Sequence, residues 1–199
     1  RRGFLYLWVA ECAGGGSLLC FGWMQGGHGD YTVATMRASH RDHFWASAAF
    51  LLALFGFGAK AGFLPVHAWL PEAHPAAPSP ISALMSGVML KTAIYGLLRV
   101  TFDLLQIQLV WWGVLATTLG LMTALFGVMF AAVQTDMKRL LAYSSIENMG
   151  IILAGVGLTL IFHVYEANAL AALALAGTLY HCLNHAFFKS LLFLVTGTV

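Results

Sequence analysis

The sequence predicts an all-α, polytopic membrane bundle of about six transmembrane helices, and two observations carry that prediction. The chain is 60% hydrophobic and only 9% charged, with a mean hydropathy of +0.80. A water-soluble domain carries about 25% charged residues. The apolar residues also gather into runs of about 20, long enough for a helix to cross a hydrocarbon core of roughly 30 Å. A transmembrane barrel would need alternating strands of about 10 residues, and that pattern is missing.

The elements follow in order. A first span is read at 4–24, followed by a Gly-, His- and Arg-rich loop at 25–43. The second span, 44–63, breaks near Lys60 and continues to about 75. Gly56, Gly58 and Gly62 surround Lys60 and Pro65 follows it. Glycine weakens a helix, and proline removes a hydrogen bond and disfavours helix just before itself. All five prolines fall in 64–80, read as a rigid, half-helical bend at the membrane surface. Further spans are read at 81–99, 108–133, 138–162 and 168–199. Asp136 starts the fifth, because a carboxylate is favourable at a helix N-terminus. The whole chain reads as one integral membrane domain with no internal repeat. It opens on Arg1 and Arg2 and ends at Val199 inside an apolar run, which is expected of an internal fragment. No signal peptide is expected. On the positive-inside rule Arg1, Arg2, Lys138 and Arg139 fall on one side and Arg37, Arg41 and Arg99 on the other, a slight vote for the first side being cytoplasmic.

Several function classes drop out. A scattered net charge of +2 points away from nucleic acid. Cys12, Cys20 and Cys182 form no CxxC pair and read as buried small hydrophobes. There is no GxSxG, no P-loop and no dinucleotide fingerprint. His67, Glu72 and His74 are not spaced as HExxH.

What remains are charges at bilayer depth, which are costly and usually face a bundle interior or water. Lys60 lies at a loosened helix, and broken membrane helices are where transporters place ion sites. Its alternative role is snorkelling to an interface. Lys91 lies mid-span, roughly 12 Å of helix rise from Arg99, too far for easy snorkelling. Desolvation favours the neutral form of an amine, so a lysine at depth can exchange protons. Glu147 is read as a supporting carboxylate, and Glu11 as facing a groove at headgroup level. His181, His185 and Lys189 recur every four residues in "YHCLNHAFFK", along one face of a helix. They read as a proton relay rather than as a zinc or haem site, for which further ligands are missing, or as two structural histidines.

Three stretches occur in order: "AKAGFLPVHAWLPEAHPAAPSPISALMSGVMLKTAIYGLLRV", "QTDMKRLLAYSSIENMGII" and "NHAFFKSLLFL". They resemble the antiporter-like membrane subunits of respiratory complex I and the related Mrp-type cation/proton antiporters, strongly over 44–199 and weakly over 1–43. The form "SSIENMGII", with Glu147, is most similar to the hydrogenase-4 and formate hydrogenlyase branch. The resemblance implies a larger inverted-repeat fold with a buried lysine near each broken helix and a hydrated polar axis in the membrane plane. Lys60 matches the lysine of the first broken helix, whose glutamate partner lies on a helix before the first span. Lys91 matches the bridging lysine, and His181, His185 and Lys189 the central axis.

The implied function is a non-catalytic, proton-translocating subunit of a redox-driven complex of the hydrogenase, formate hydrogenlyase or NADH:quinone oxidoreductase type. No cofactor or metal is expected in this chain. Redox cofactors are expected in partner subunits, including a peripheral arm, and the setting is a bacterial or archaeal plasma membrane. The translocated ion is H⁺ or Na⁺. Coupling would be electrostatic, since an ion pair at 4 Å is worth about 4 kcal/mol at an effective dielectric constant of 20. The alternatives are a stand-alone or Mrp-type cation/proton antiporter subunit and a transport-inactive membrane anchor for a hydrogenase.

Overall fold

The computed structural model describes residues 2–25, 31–38 and 42–197, so Arg1 and Arg41 of the charge count, part of the 25–43 loop and the last two residues of the sixth expected span lie outside it. Among the described residues there are nine α-helices and no strands. They are α1 (Arg2–Met24), α2 (Val33–Ala38), α3 (His43–Ala61), α4 (Trp69–Ala76), α5 (Ser79–Leu84), α6 (Leu90–Leu98), α7 (Val110–Ala132), α8 (Met137–Val164) and α9 (Asn168–Val195). A 3₁₀ turn, Val66–Ala68, leads into α4; a π-helical turn at Met85–Met89 joins α5 to α6 and a second, Arg99–Leu104, extends α6, making one rod, Ser79–Leu104.

Four of the six expected spans are long and apolar enough to cross a membrane: His43–Ala76, Ser79–Leu104, Val110–Ala132 and Met137–Val164. Helices α1 and α9 have the length of a span but are not among these four, so the count of six is not confirmed. His181, Asn184, His185 and Lys189 lower the hydropathy of α9.

The break in the second span falls at Gly62, whose φ of 80° is the left-handed conformation that ends a helix cheaply only with glycine. A broken helix inside a membrane must re-satisfy its freed backbone groups. The Phe63 amide donates to the Gly58 carbonyl at 2.9 Å, and the Trp69 indole donates to the Ala59 carbonyl at 2.9 Å. The Leu64 amide donates to Thr123 Oγ1 on α7 at 3.3 Å. The chain then re-enters helix at α4.

Helices in lipid gain little from hydrophobic burial against one another, so close packing through small residues replaces it. The antiparallel pair α7 and α8 is the clearest case. Gly113, Gly120 and Gly127 recur every seven residues on α7, and Gly150 and Gly157 do so on α8. Seven residues are close to two helical turns, so these glycines form one stripe on each helix. A Cβ on Gly120 would sit 2.5 Å from the Ala154 nitrogen and 2.7 Å from the Gly150 carbonyl oxygen. One on Gly127 would sit 2.5 Å from the Glu147 nitrogen. Helices α1 and α3 meet similarly, where a Cβ on Gly56 would lie 2.7 Å from the Ser17 nitrogen. The opposite face of α7 carries exposed Leu121, Met122, Leu125 and Met129, an apolar surface suited to lipid or to other membrane helices.

Polar contacts pin the two ends. At one, Arg139 pairs with Glu72 at 2.7 Å and Lys138 donates to the Ala77 carbonyl at 3.0 Å, fastening α4 to the start of α8. At the other, Asp103 forms ion pairs with Arg37 at 2.5 Å and with Arg99 at 3.0 Å. Lys138 and Arg139 therefore sit at the opposite end from Arg37 and Arg99, as the alternation of spans requires. The carboxylate of Asp136 caps α8 by accepting from the Arg139 amide at 2.8 Å. Asp136→Ala is expected to lower stability by about 1 kcal/mol, while Asp136→Asn keeps the acceptor and most of the stability. Thermal unfolding of the purified protein in detergent checks both.

Candidate functional site

The site is built from three elements: the rod Ser79–Leu104, α8 and α9. The π turn at Met85–Met89 widens the rod just before Lys91. Such bulges recur at functional positions because they displace side chains from the regular helical face. Lys91 folds back over this turn, and its Nζ donates to the Ser86 carbonyl at 2.5 Å. The Ser86 hydroxyl pairs with the Ser145 hydroxyl of α8 at 2.9 Å, holding rod and α8 together at this level. Gly87 gives α9 room, because a Cβ there would collide with the Ser190 hydroxyl and approach the Ala186 carbonyl.

Across that narrow gap lies His185, fully buried on α9. Its Nδ1 is 2.6 Å from Lys91 Nζ. An ammonium has no lone pair to offer, so with charged Lys91 this nitrogen is the acceptor and the ring proton resides on Nε2. Nε2 is buried and has no hydrogen-bond partner among the described residues. A Lys–His contact of this kind, deep in a span, holds one donor and one acceptor in line for proton exchange.

One turn earlier, His181 is half-buried and stacks near-parallel to His185, with ring centroids 6.4 Å apart. Its Nε2 lies 3.0 Å from Asn148 Oδ1 on α8. One turn later, Lys189 is 1% exposed, and its Nζ donates to the Leu141 carbonyl of α8 at 3.2 Å. The spacing of four thus sets His181, His185 and Lys189 along one face of α9, with each group handed a different partner. Glu147 sits beside this face of α8, its Oε2 accepting from Ser144 Oγ at 3.4 Å. It makes no ion pair among the described residues, although Lys189 and His181 are within electrostatic range. Among the described residues no three His, Cys, Asp or Glu side chains converge, and Lys91 occupies the nitrogen of His185 that a metal ion would compete for.

Lys60 stands apart. It is exposed on the last turn of α3 and has no polar partner among the described residues. It borders a cavity of about 490 Å³ between α1 and α3, lined by Val9, Ala13, Ser17, Phe57 and Trp69. No direct contact joins it to Lys91. The structure therefore brings Lys91 and His185 together, continues the line to His181 and Lys189, and leaves Lys60 at the edge of a separate opening. The sequence reading missed Asn148 and Ser145, and took Ser86 only as a small residue for close helix packing. Asn148 was legible as a polar residue next to Glu147 in an apolar span, but the serines gain meaning only from the contact between the rod and α8.

The family model for the transmembrane region of NADH:quinone oxidoreductase and Mrp antiporter subunits matches residues 3–199. The chain is 48% identical over its whole length to hydrogenase-4 component B of Escherichia coli, of which it covers 30%. It is 46% identical to formate hydrogenlyase subunit 3 of the same organism over 77% of this chain and 25% of that one. The chain thus spans a third or less of these relatives, and both fall in the branch that the Glu147 motif implied. Among solved structures, respiratory complex I from Thermus thermophilus superposes over the whole chain with a TM-score of 0.84 at 23% identity, covering 40% of the matched chain. The Mrp complex from Dietzia sp. superposes over 98% of this chain and 34% of the matched one, with a TM-score of 0.78 at 26% identity. With a fold shared across both complexes and near-half identity to hydrogenase-linked subunits, the chain belongs to the NADH:quinone oxidoreductase/Mrp antiporter family of membrane subunits.

Proposed function

We propose that this chain forms part of the ion path of a proton-translocating subunit in a redox-driven membrane complex. The observation that carries the reading is the Lys91–His185 contact at 2.6 Å, continued along α9 by His181 and the buried Lys189. Several titratable groups at bilayer depth have no simple stabilising role. Each costs insertion energy, and an apolar side chain would pack the same space without that penalty. Protons would pass between Lys91 and the α9 row, with Glu147 as the balancing carboxylate and Lys60 at the entrance beside α1. Redox centres would lie in partner subunits, and a change of charge there would act electrostatically on this row. Partners would include further membrane subunits and a peripheral redox arm in a bacterial or archaeal plasma membrane. The names of the hydrogenase-4 and formate hydrogenlyase relatives support this reading.

A second reading, an Mrp-type cation/proton antiporter subunit, is favoured by the superposition on the Mrp complex. The two separate in inverted vesicles from cells carrying the full-length protein. Under the coupled reading an electron donor acidifies the lumen. Lys60→Ala lowers that acidification sharply while the complex still assembles. Sodium-dependent proton exchange without any donor supports the antiporter instead. Unchanged pumping and turnover in Lys60→Ala would assign that lysine a structural role.

A further inference from the structure

His74 lies outside the line just described. It sits on α4, the short helix after the break, and its side chain is 0% exposed. Neither Nδ1 nor Nε2 has a hydrogen-bond partner among the described residues. The ring stacks on Phe193 of α9, with centroids 4.5 Å apart and planes 15° from parallel. Phe193 is one turn beyond Lys189 on the same helix, and the ammonium groups of Lys189 and Lys138 are both within electrostatic range of the ring. Glu72, the carboxylate on the same short helix, is engaged by Arg139.

A ring needed only for packing against Phe193 would be better served by phenylalanine or leucine. A buried nitrogen left without a partner keeps the desolvation cost of a polar group with nothing to offset it. The surrounding contacts hold the imidazole in place rather than satisfy it. Ser82 Oγ donates to the His74 backbone carbonyl at 3.0 Å, and the Lys138 and Arg139 contacts clamp α4 onto α8 on either side of it. Lys138 and Leu141 lie one turn apart on α8, and Lys189 donates to the Leu141 carbonyl. The ring therefore spans the step from the charged end of the bundle to the first buried amine inside it.

We propose that His74 is a proton-transfer station that admits protons from the Lys138–Arg139 end of the bundle to Lys189. A proton reaching one ring nitrogen through water is matched by release of the proton on the other nitrogen to Lys189, once Lys189 has passed its own proton along the α9 row. One N–H bond forms on the ring and one breaks, and tautomer exchange resets it. This makes the end bearing Lys138 and Arg139 an access point to the α9 row that does not pass through Lys60. The inference rests on the ion-transfer reading above.

The test uses the full-length protein in its membrane complex, in inverted vesicles, reading donor-driven acidification per electron transferred. The variants are His74→Phe, which keeps the stack on Phe193, and His74→Gln, which keeps polarity but carries no proton at neutral pH. Lys91→Met serves as the separate arm for the function itself. Both His74 variants are expected to assemble and to lose about tenfold or more in acidification per electron, the scale of a lost proton-transfer group. Wild-type pumping by either assembled variant overturns the proposal, and so does failure of both to assemble, which would assign the ring to packing. If Lys91→Met stops pumping while His74→Phe pumps normally, this inference fails and the proposed function stands. If Lys91→Met pumps normally, the proposed function itself fails.

Discussion

Lys91→Met is expected to stop ion transfer while leaving the protein folded and assembled. Methionine matches the length of the lysine stem and removes the charge, so the buried site loses its proton carrier without losing volume. Two contacts disappear, to the Ser86 carbonyl and to His185 Nδ1. The orphaned ring nitrogen costs about 1–3 kcal/mol. That cost is offset because a cation no longer has to be desolvated. Stability should therefore change little, whereas acidification per electron should fall by a factor of about 100 or more. Lys91→Arg is expected to fail as a rescue, because a guanidinium stays protonated and its planar fork does not fit a single 2.6 Å contact. Acidification and thermal unfolding of the same preparation decide between this outcome and a structural role. A large loss of stability with proportional loss of pumping would mean that Lys91 only holds the rod to α9.

The second large effect is expected from the glycine stripe between α7 and α8. Gly120→Ala and Gly150→Ala each place a methyl group against backbone rather than against a flexible side chain. The nearest atoms would be the Ala154 and Ala124 nitrogens, both at 2.5 Å. Neither helix can yield locally, so the pair must separate along its length. Overpacking of this kind costs about 1–3 kcal/mol per site, and the two substitutions face each other, so they should not add independently. Function should suffer as well, because Gly127 sets the approach of α7 to the backbone of Glu147. Gly22→Ala is the control. Nothing lies within 4 Å of its added methyl, and alanine in a helix is worth roughly 0.5–1 kcal/mol over glycine. Unfolding of the purified protein in detergent should show the interfacial variants destabilised and the control unchanged or stabilised. Equal behaviour of all three would mean that the α7–α8 contact is looser than the glycine spacing indicates.

The class, the broken helix and the row on α9 were legible in the order of residues alone. Apolar run length is dictated by bilayer thickness, and Gly62 and Pro65 act through local backbone sterics. Each of these is a short-range property that a linear reading can see. The every-four spacing of His181, His185 and Lys189 likewise needed only helical geometry. The seven-residue spacing of Gly113, Gly120 and Gly127 was equally local, but it becomes a stripe with meaning only when the matching glycines of α8 face it.

Tertiary structure alone decided which charges meet. Lys91 and His185 are 94 residues apart and in contact, whereas Lys60 shares a motif with Lys91 and does not touch it. The crossing of the rod with α9 sets the first pairing, and the cavity beside α1 isolates Lys60. The same holds for His74. In the sequence it is one polar residue in a proline-rich bend. In the fold, the clamp of α4 on α8 carries it out of solvent and onto Phe193, one turn from Lys189. A side chain's type is fixed locally. Its desolvation and its partners depend on how distant helices pack.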